Sequence, residues 1–318
     1  MDNLMSRRWW SKETVALVTG ANKGIGFAIV KQLAKEGLTA ILTSRDIQNG
    51  QKACDMLREE GLNVLFHQLD VTDLDSIIRV ADWVKTQFGG IDILINNAGV
   101  NFRTTPLSLD GMEVAHSTLE TNYYGVKRVT EAMLSLFRLS TQGNRIVNVS
   151  SMMGQLSVFQ DETWKTQLSS VDTLTEELIE SFLQNCLVKI AKNLNTKVPG
   201  LEVFKAELHY PKGLIYYGLS KAALNAYSRM LARDLSKRSA DQMFYVSCMC
   251  PGLTSTDMTG NVGHTPEEGA DTAVWLALLP ASECSTGNFF IKRQERSFEY
   301  IEEVFSLSSH QALLSLEN

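Results

Sequence analysis

Tyr217 and Lys221 stand four residues apart in Tyr217-Gly218-Leu219-Ser220-Lys221, a spacing that sets two side chains on one face of a helix. An ammonium beside a phenol stabilises the phenolate and lowers a pKa that starts near ~10. A phenol tuned in that way can give or take a proton. Ala222, Ala223, Leu224, Ala226 and Met230 continue the stretch as a good helix. The pair alone is equally met by a surface phenol resting on a lysine stem, so its meaning depends on what surrounds it.

A second constellation lies near the N-terminus. Thr14-Val15-Ala16-Leu17-Val18 reads as a buried strand, and Thr19-Gly20-Ala21-Asn22-Lys23-Gly24-Ile25-Gly26 follows at once. Ile29, Val30, Leu33 and Ala34 then recur at helical spacing up to Gly37. Glycines between a strand and a helix let the backbone approach a pyrophosphate, while the helix start supplies amide donors and partial positive charge. The spacing is Gly-x-x-x-Gly-x-Gly. The next strand, 39–43, ends in Ser44-Arg45-Asp46, where the adenosine ribose of a dinucleotide belongs. An acid there would bind ribose hydroxyls and repel a phosphate. Arg45 comes first instead, with Lys23 in the glycine turn, and the two cations favour the 2′-phosphate of NADP(H).

These residues need a scaffold, and the pattern supplies one. Apolar strands over 63–68, 91–95, 145–149, 243–249 and 287–291 alternate with amphipathic helices. One helix spans roughly 48–60, one is capped by Thr72 or Asp73, one runs long over 112–139 with Asn122 at its middle, and one starts at Thr265-Pro266. Such alternation predicts a doubly wound, Rossmann-type parallel α/β sheet of seven strands with helices on both faces. Ligands then lie at the carboxyl ends of the strands, where Gly20–Gly26, Arg45, Asp70-Val71, Asn96-Asn97-Ala98-Gly99, Ser150-Ser151 and Pro251-Gly252 all fall.

Composition narrows the partners. The 318 residues are 44% hydrophobic and 21% charged, as in an ordinary globular chain, and the net charge of −6 argues against a nucleic-acid surface. No apolar run approaches the ~20 residues of a membrane span. The first twelve residues lack the apolar core of a secretory signal, so the cytoplasm is expected. Five scattered cysteines include no Cys-x-x-Cys pair, which indicates neither a disulfide framework nor a zinc site; no metal is expected. Cys248 and Cys250 should face the same side of a strand as buried thiols.

Thr19-Gly-Ala-Asn-Lys-Gly-Ile-Gly26, Asn96-Asn-Ala-Gly99, Ser151, Tyr217-x-x-x-Lys221 and Pro251-Gly252 occur in order and in context. In this the chain resembles the short-chain dehydrogenase/reductase family over about 14–290. The resemblance implies that Tyr217 protonates a substrate carbonyl oxygen, that Lys221 binds the nicotinamide ribose and lowers the tyrosine pKa, and that Ser151 holds the carbonyl. It gives Asn122 the place of the asparagine that positions a relay water, Asp70 and Val71 the adenine contacts, Asn97, Ala98 and Gly99 the lining of the adenosine ribose, and Thr256 the nicotinamide amide. Gly20, Asn22, Lys23, Gly24, Ile25, Gly26 and Arg45, with Pro251 and Gly252, complete the expected cofactor contacts, and the cofactor expected is NADPH. The chemistry is sound without the family. Hydride attack on a ketone or aldehyde builds negative charge on oxygen, which donors at Ser151 and Tyr217 would stabilise.

Residues 155–216 form a long insertion before the tyrosine. Thr173 and Glu176 have capping-box spacing, and Leu174, Leu178, Ile179, Phe182, Leu183, Leu187 and Ile190 mark a helical stripe. The insertion, Trp9-Trp10 and 269–280 resemble the plant carbonyl-reductase branch, that of the salutaridine and menthone/neomenthol reductases. There the insertion covers the surface through which other members pair, which favours a monomer. Phe159, Trp164, Phe204, His209, Tyr210 and Tyr216 could line a substrate pocket or simply pack the extra helix. The resulting expectation is one catalytic domain over 14–298, an extension over 1–13 and a tail over 299–318 that could dock as a short helix. The activity expected is an NADPH-dependent carbonyl reductase acting on a bulky apolar terpenoid- or alkaloid-type metabolite. The alternatives are a dinucleotide-binding sensor or partner protein without turnover, or a double-bond reductase.

Overall fold

In β1 (Val15–Val18), β2 (Thr39–Ser44) and β4 (Ile93–Asn96) every residue is buried. Successive side chains leave a strand on opposite faces, so strands buried at every position must be covered on both sides. The computed structural model, which describes residues 8–102, 111–196, 212–238 and 242–300, shows this directly. Leu17, Ile41, Leu94, Ile146 and Val246 enter one core, and Ala16, Val18, Ala40, Leu42, Ile95 and Val147 enter the other. With β3 (Val64–Gln68), β5 (Ser140–Val149), β6 (Gln242–Cys250), β7 (Asn288–Ile291) and β8 (Gln294–Arg296), they form one sheet in the order β3-β2-β1-β4-β5-β6-β7-β8. Chain order reverses between β1 and β4, and in such sheets the ligand crevice lies outside the strand ends at that point.

The sheet has eight strands, one more than the sequence pattern suggests. β8 pairs antiparallel with β7 through Ile291↔Gln294, across a two-residue turn in which Lys292 and Arg293 both have positive φ, 51° and 60°. Such a turn normally signals itself by Asn-Gly or Asp-Gly. Here the Arg293 side chain pairs with Asp271, and its backbone N donates to Thr272 Oγ1 at 3.1 Å.

Helices α1 (Gly24–Lys35), α2 (Ile47–Glu59) and α3 (Leu74–Phe88, capped by Asp73) follow β1, β2 and β3. The single helix expected over 112–139 is instead three pieces: α4 (Gly111–Leu119), a π-helical turn (Glu120–Gly125) and α5 (Val126–Leu134). Beyond Leu134 the chain is drawn out of helix because Leu136 O and Arg138 N both bond to Ile91, at 2.9 and 3.0 Å. The insertion holds α6 (Glu162–Ser169) and α7 (Glu176–Thr196), followed by the tyrosine helix α8 (Lys212–Leu235) and α9 (Pro266–Leu278), which opens with a Thr265/Glu268 capping box. Thr173 does not cap α7. It ends a 3-10 turn, and Thr175 Oγ1 instead accepts from Leu178 N at 3.2 Å. The apolar stripe of α7 packs as expected, with Ile179, Phe182, Leu183, Cys186 and Leu187 buried against the core that includes Tyr227 and Leu231 of α8.

Candidate active site

The glycine turn is built against the end of β4. A Cβ on Gly20, at φ 62°, would lie 2.9 Å from Ala98 Cα. One on Gly26 would lie 2.4 Å from Asn97 Nδ2 and 2.6 Å from Gly20 O. The same closeness allows hydrogen bonds. Asn97 N and Ala98 N each donate to Thr19 Oγ1 at 3.0 Å, and Asn97 Nδ2 donates to Thr19 O and Gly20 O at 2.9 Å. Gly24 faces Thr256, whose Cγ2 would lie 3.2 Å from a Cβ there. Asn22 and Ile25 are half-buried on the same turn. Thus the N-terminal motif, Asn97-Ala98 and Thr256, distant in sequence, share one rim.

The two expected cations differ. Lys23 is already engaged by Asp257 at 2.5 Å, both side chains being exposed. The Arg45 guanidinium is exposed and has no partner among the described residues. Asp70 accepts from Thr72 N and Oγ1 at 2.9 and 2.7 Å, and Val71 packs against Gly125 at the end of the π turn.

At the other end of the rim Gly99 touches the catalytic candidates: a Cβ there would be 3.3 Å from Asn122 Oδ1 and 3.7 Å from Lys221 Nζ. Asn122 is fully buried and bonds Val100 both ways, accepting from its N at 2.8 Å and donating to its O at 2.9 Å. Its Nδ2 also donates to Ser220 Oγ at 3.0 Å. Lys221 Nζ donates to Val149 O at 2.8 Å and lies 5.5 Å from the centre of the Tyr217 ring. The Ser151 hydroxyl accepts from Met153 N at 3.2 Å and stands against the Tyr217 phenol, close enough to favour its ionised form. Gly154 presses on the backbone of α8, where a Cβ would meet Lys221 C at 2.5 Å, and Asn225 Nδ2 donates to Gly154 O at 3.1 Å. The loop that begins at Ser151 is thereby fixed to the helix that carries Tyr217.

The electrostatics correct one expectation. Burial pushes the Lys221 ammonium down to about 8, with the Cys248 and Cys250 thiols opposing. Tyr217 is raised, not lowered: burial leads, Cys250 adds to it, and the Ser151 hydroxyl works against both. Lys221 gives its hydrogen bond to Val149, so it does not acidify the phenol in this arrangement.

Three contributors escaped the sequence reading. Ser220, between Tyr217 and Lys221, joins Asn122 to α8; its position three after Tyr217 was the available signal. The buried Cys250 thiol lies against Gly252, Met152 and Ser151, each of which favours its ionised form against the burial that raises it. His264 Nε2 bonds Pro251 O at 2.7 Å, and its ring fills the space beside Gly252; no local pattern marks it. Of the pocket aromatics, Phe159 and Trp164 pack on Phe182, at 5.4 and 5.7 Å between ring centres, and Tyr216 is buried in the same core. The insertion claims these three. Phe204, His209, Tyr210 and the tail from residue 301 lie outside the described residues.

A family model described as short chain dehydrogenase matches residues 14–189. The chain is 40% identical to a (+)-neomenthol dehydrogenase of Arabidopsis thaliana, covering 89% of this chain and 97% of that one. It is 37% identical to a bovine (Bos taurus) carbonyl reductase [NADPH] 1, covering 89% and 98%. The solved structure of salutaridine reductase from Papaver somniferum superposes with a TM-score of 0.74 at 38% identity, over 87% of this chain and 99% of that one.

Proposed function

The chain belongs to the short-chain dehydrogenase family, and from that premise we propose that it is an NADPH-dependent carbonyl reductase. The observation that carries this reading is the Ser151 hydroxyl set against the Tyr217 phenol beside Lys221, at the end of a rim lined by Gly20, Gly24, Gly26 and Gly99. The residues present fit a dinucleotide. At Gly20 and Gly26 there is no room for a side chain, and a close-packed glycine turn leading into a helix N-terminus suits a pyrophosphate. The uncommitted Arg45 suits a 2′-phosphate, and a relative of similar length carries NADPH in its name. Asn97, Ala98, Asp70 and Val71 would hold the adenosine half, and Thr256, Pro251 and Gly252 the nicotinamide half.

When bound, the reduced nicotinamide supplies the hydride for the carbonyl carbon. The chain's own residues manage the charge that develops on oxygen. Ser151 and Tyr217 donate hydrogen bonds to it where it forms. The raised pKa of Tyr217 keeps the phenol protonated at neutral pH, which is the form a general acid requires. Lys221, 5.5 Å from the Tyr217 ring, would hold the nicotinamide ribose, and Asn122 ties Val100, Ser220 and the π turn into one support. The substrate class we infer is a bulky apolar ketone or aldehyde of terpenoid or alkaloid type, in keeping with the relatives' names. We further assign 14–298 to one catalytic domain acting as a cytoplasmic monomer. The described cysteines are all free, as a reducing compartment allows, and α7 packs against α8.

The test is NADPH oxidation with a panel of cyclic ketones, menthone-like and morphinan-like compounds among them. Tyr217→Phe is expected to lose turnover by roughly 10²–10⁴-fold while NADPH still binds, as read by fluorescence titration. A wild-type protein that binds NADPH tightly yet reduces no carbonyl would instead be a binding protein without turnover.

A further inference from the structure

Resting on that reading, we propose that the insertion helix α7 is part of the catalytic support: Glu180 and Tyr124 are positioning residues that hold the π turn carrying Asn122. A π turn is rare, found mostly as a single turn inside an α-helix and frequently at a functional site. In this chain the support comes from two sides. On one side Tyr123, fully buried, meets Tyr227 of α8 edge-on at 6.2 Å. On the other, the turn reaches into the insertion. Tyr124 Oη donates to Glu180 Oε2 at 2.7 Å, and two residues past the turn Lys127 Nζ pairs with Glu176 Oε2 at 2.5 Å. Glu176 and Glu180 are four apart on α7, so both acids face the turn together.

The two residues bonded to α7 flank the end of the turn, two and five places beyond Asn122. Asn122 in turn makes three hydrogen bonds, two to Val100 and one to Ser220. A shift of the turn that lengthens those bonds would move the Val100 segment, adjoining Gly99, relative to α8, which carries Tyr217 and Lys221. The insertion therefore does more than cover a surface. It locks the geometry between the rim and the tyrosine.

The experiment is a double-mutant cycle on kcat and KM, with purified full chain and NADPH, using Tyr124→Phe, Glu180→Gln and Asn122→Ala. Tyr124→Phe removes one oxygen and is expected to lower kcat five- to twentyfold with KM for ketone and the fluorescence Kd for NADPH within twofold. In the Asn122→Ala background the same change should cost less than twofold, because the support it removes no longer has anything to position. Hydrogen exchange supplies the second readout, decisive if Asn122→Ala leaves no measurable turnover: amides of 120–126 should exchange faster in Tyr124→Phe and in Glu180→Gln. Lys189→Ala, which breaks the Asp161 pair elsewhere in the insertion, should leave kcat unchanged. Equal losses in both backgrounds, unchanged exchange over 120–126, or a matching kcat loss in Lys189→Ala would each overturn the proposal. Failure of the wild type to reduce any ketone would count against the reductase reading instead, and hydrogen exchange would still decide the support.

Discussion

The glycine rim and the insertion hold their residues by opposite means. Around Gly20, Gly26, Asn97 and Thr19 the fit is made by backbone at contact distance, with no tolerance for one added carbon. Over 168–174 of the insertion the chain is held by long side chains from α8. Arg229 donates to Leu168 O and Ser169 O at 2.9 and 2.7 Å, and Arg233 donates to Val171 O and Leu174 O at 2.6 and 2.8 Å. Backbone contact specifies which residue types are allowed. Side-chain reach specifies only that some donor arrives, and many sequences can arrange that. The rim is suited to a ligand that must be met identically every time, while contacts of the second kind can be rebuilt with other side chains.

The sharpest way to break this comparison is Gly26→Ala. The new methyl would meet Asn97 Nδ2, Gly20 O and Ala21 Cα at 2.4, 2.6 and 2.9 Å, and two of those three atoms are backbone. Overpacking of this kind costs about 1–3 kcal/mol or more. The expected result is NADPH affinity reduced on the order of a hundredfold with a lower unfolding midpoint. Normal affinity would mean that the rim yields as readily as the insertion does.

Arg229→Ala probes the other region. It strips two carbonyls of a charged donor and removes the cation from the face of Phe298, 5.0 Å away. Leaving such groups unpaired costs about 1–3 kcal/mol, here partly relieved by water. We expect denaturant stability to fall by about 2 kcal/mol and NADPH affinity to stay within threefold. An equal loss of NADPH affinity would show that the two regions are not mechanically separate.

The same contrast explains what could be read in advance. The rim was legible because steric necessity leaves glycine at Gly20 and Gly26, and because each motif falls at the end of an apolar strand in a pattern of alternating strands and helices. The chemistry of Tyr217 and Lys221 was legible by type and spacing, that of Ser151 and Asn122 only through the family resemblance, and the structure brings all four together. The π turn was not, since one extra residue per turn hardly disturbs apolar periodicity across 111–134. Nor was β8, because its turn uses Lys292 and Arg293, neither a residue that announces positive φ. The cap on α7 was misplaced by two residues, since Thr173 and Thr175 offer the same hydroxyl. The sign of the Tyr217 shift also escaped, because spacing predicts that Lys221 is near but not that Val149 O takes its hydrogen bond.

Arg45→Ala sharpens the comparison at the open edge of the rim, where contact is by side chain and not by backbone. The guanidinium is exposed, so its loss should weaken NADPH by about tenfold, within the range of a charge-assisted hydrogen bond, and leave NADH unchanged. The measurement is paired titration of both cofactors. Asp257 competes for Lys23, so Arg45 should carry more of the discrimination than Lys23 does. A larger NADPH loss in Lys23→Ala than in Arg45→Ala would reverse that order.

The smallest effect tests Lys221, which lies where the two regions meet. Its ammonium is pushed down to about 8 by burial, against an ordinary value near ~10.4. On raising the pH the folded chain gives up this proton before the unfolded chain does. Below about pH 8 both forms are charged, and the full cost of burying the ammonium weighs on the fold. From about 8 toward ~10.4 the unfolded chain binds more protons, so this group's contribution to stability rises with pH. The cysteines titrate in the opposite sense, because burial raises Cys248 and Cys250, and so do the buried tyrosines Tyr123 and Tyr227. The readout must therefore be the difference between wild type and Lys221→Met in cofactor-free protein. That difference should move in favour of wild type by on the order of 1 kcal/mol between pH 7.5 and 9.5. A flat difference would mean that Lys221 keeps an ordinary ammonium in the folded chain, and that the backbone acceptor at Val149 together with the neighbouring thiols fully offsets its burial.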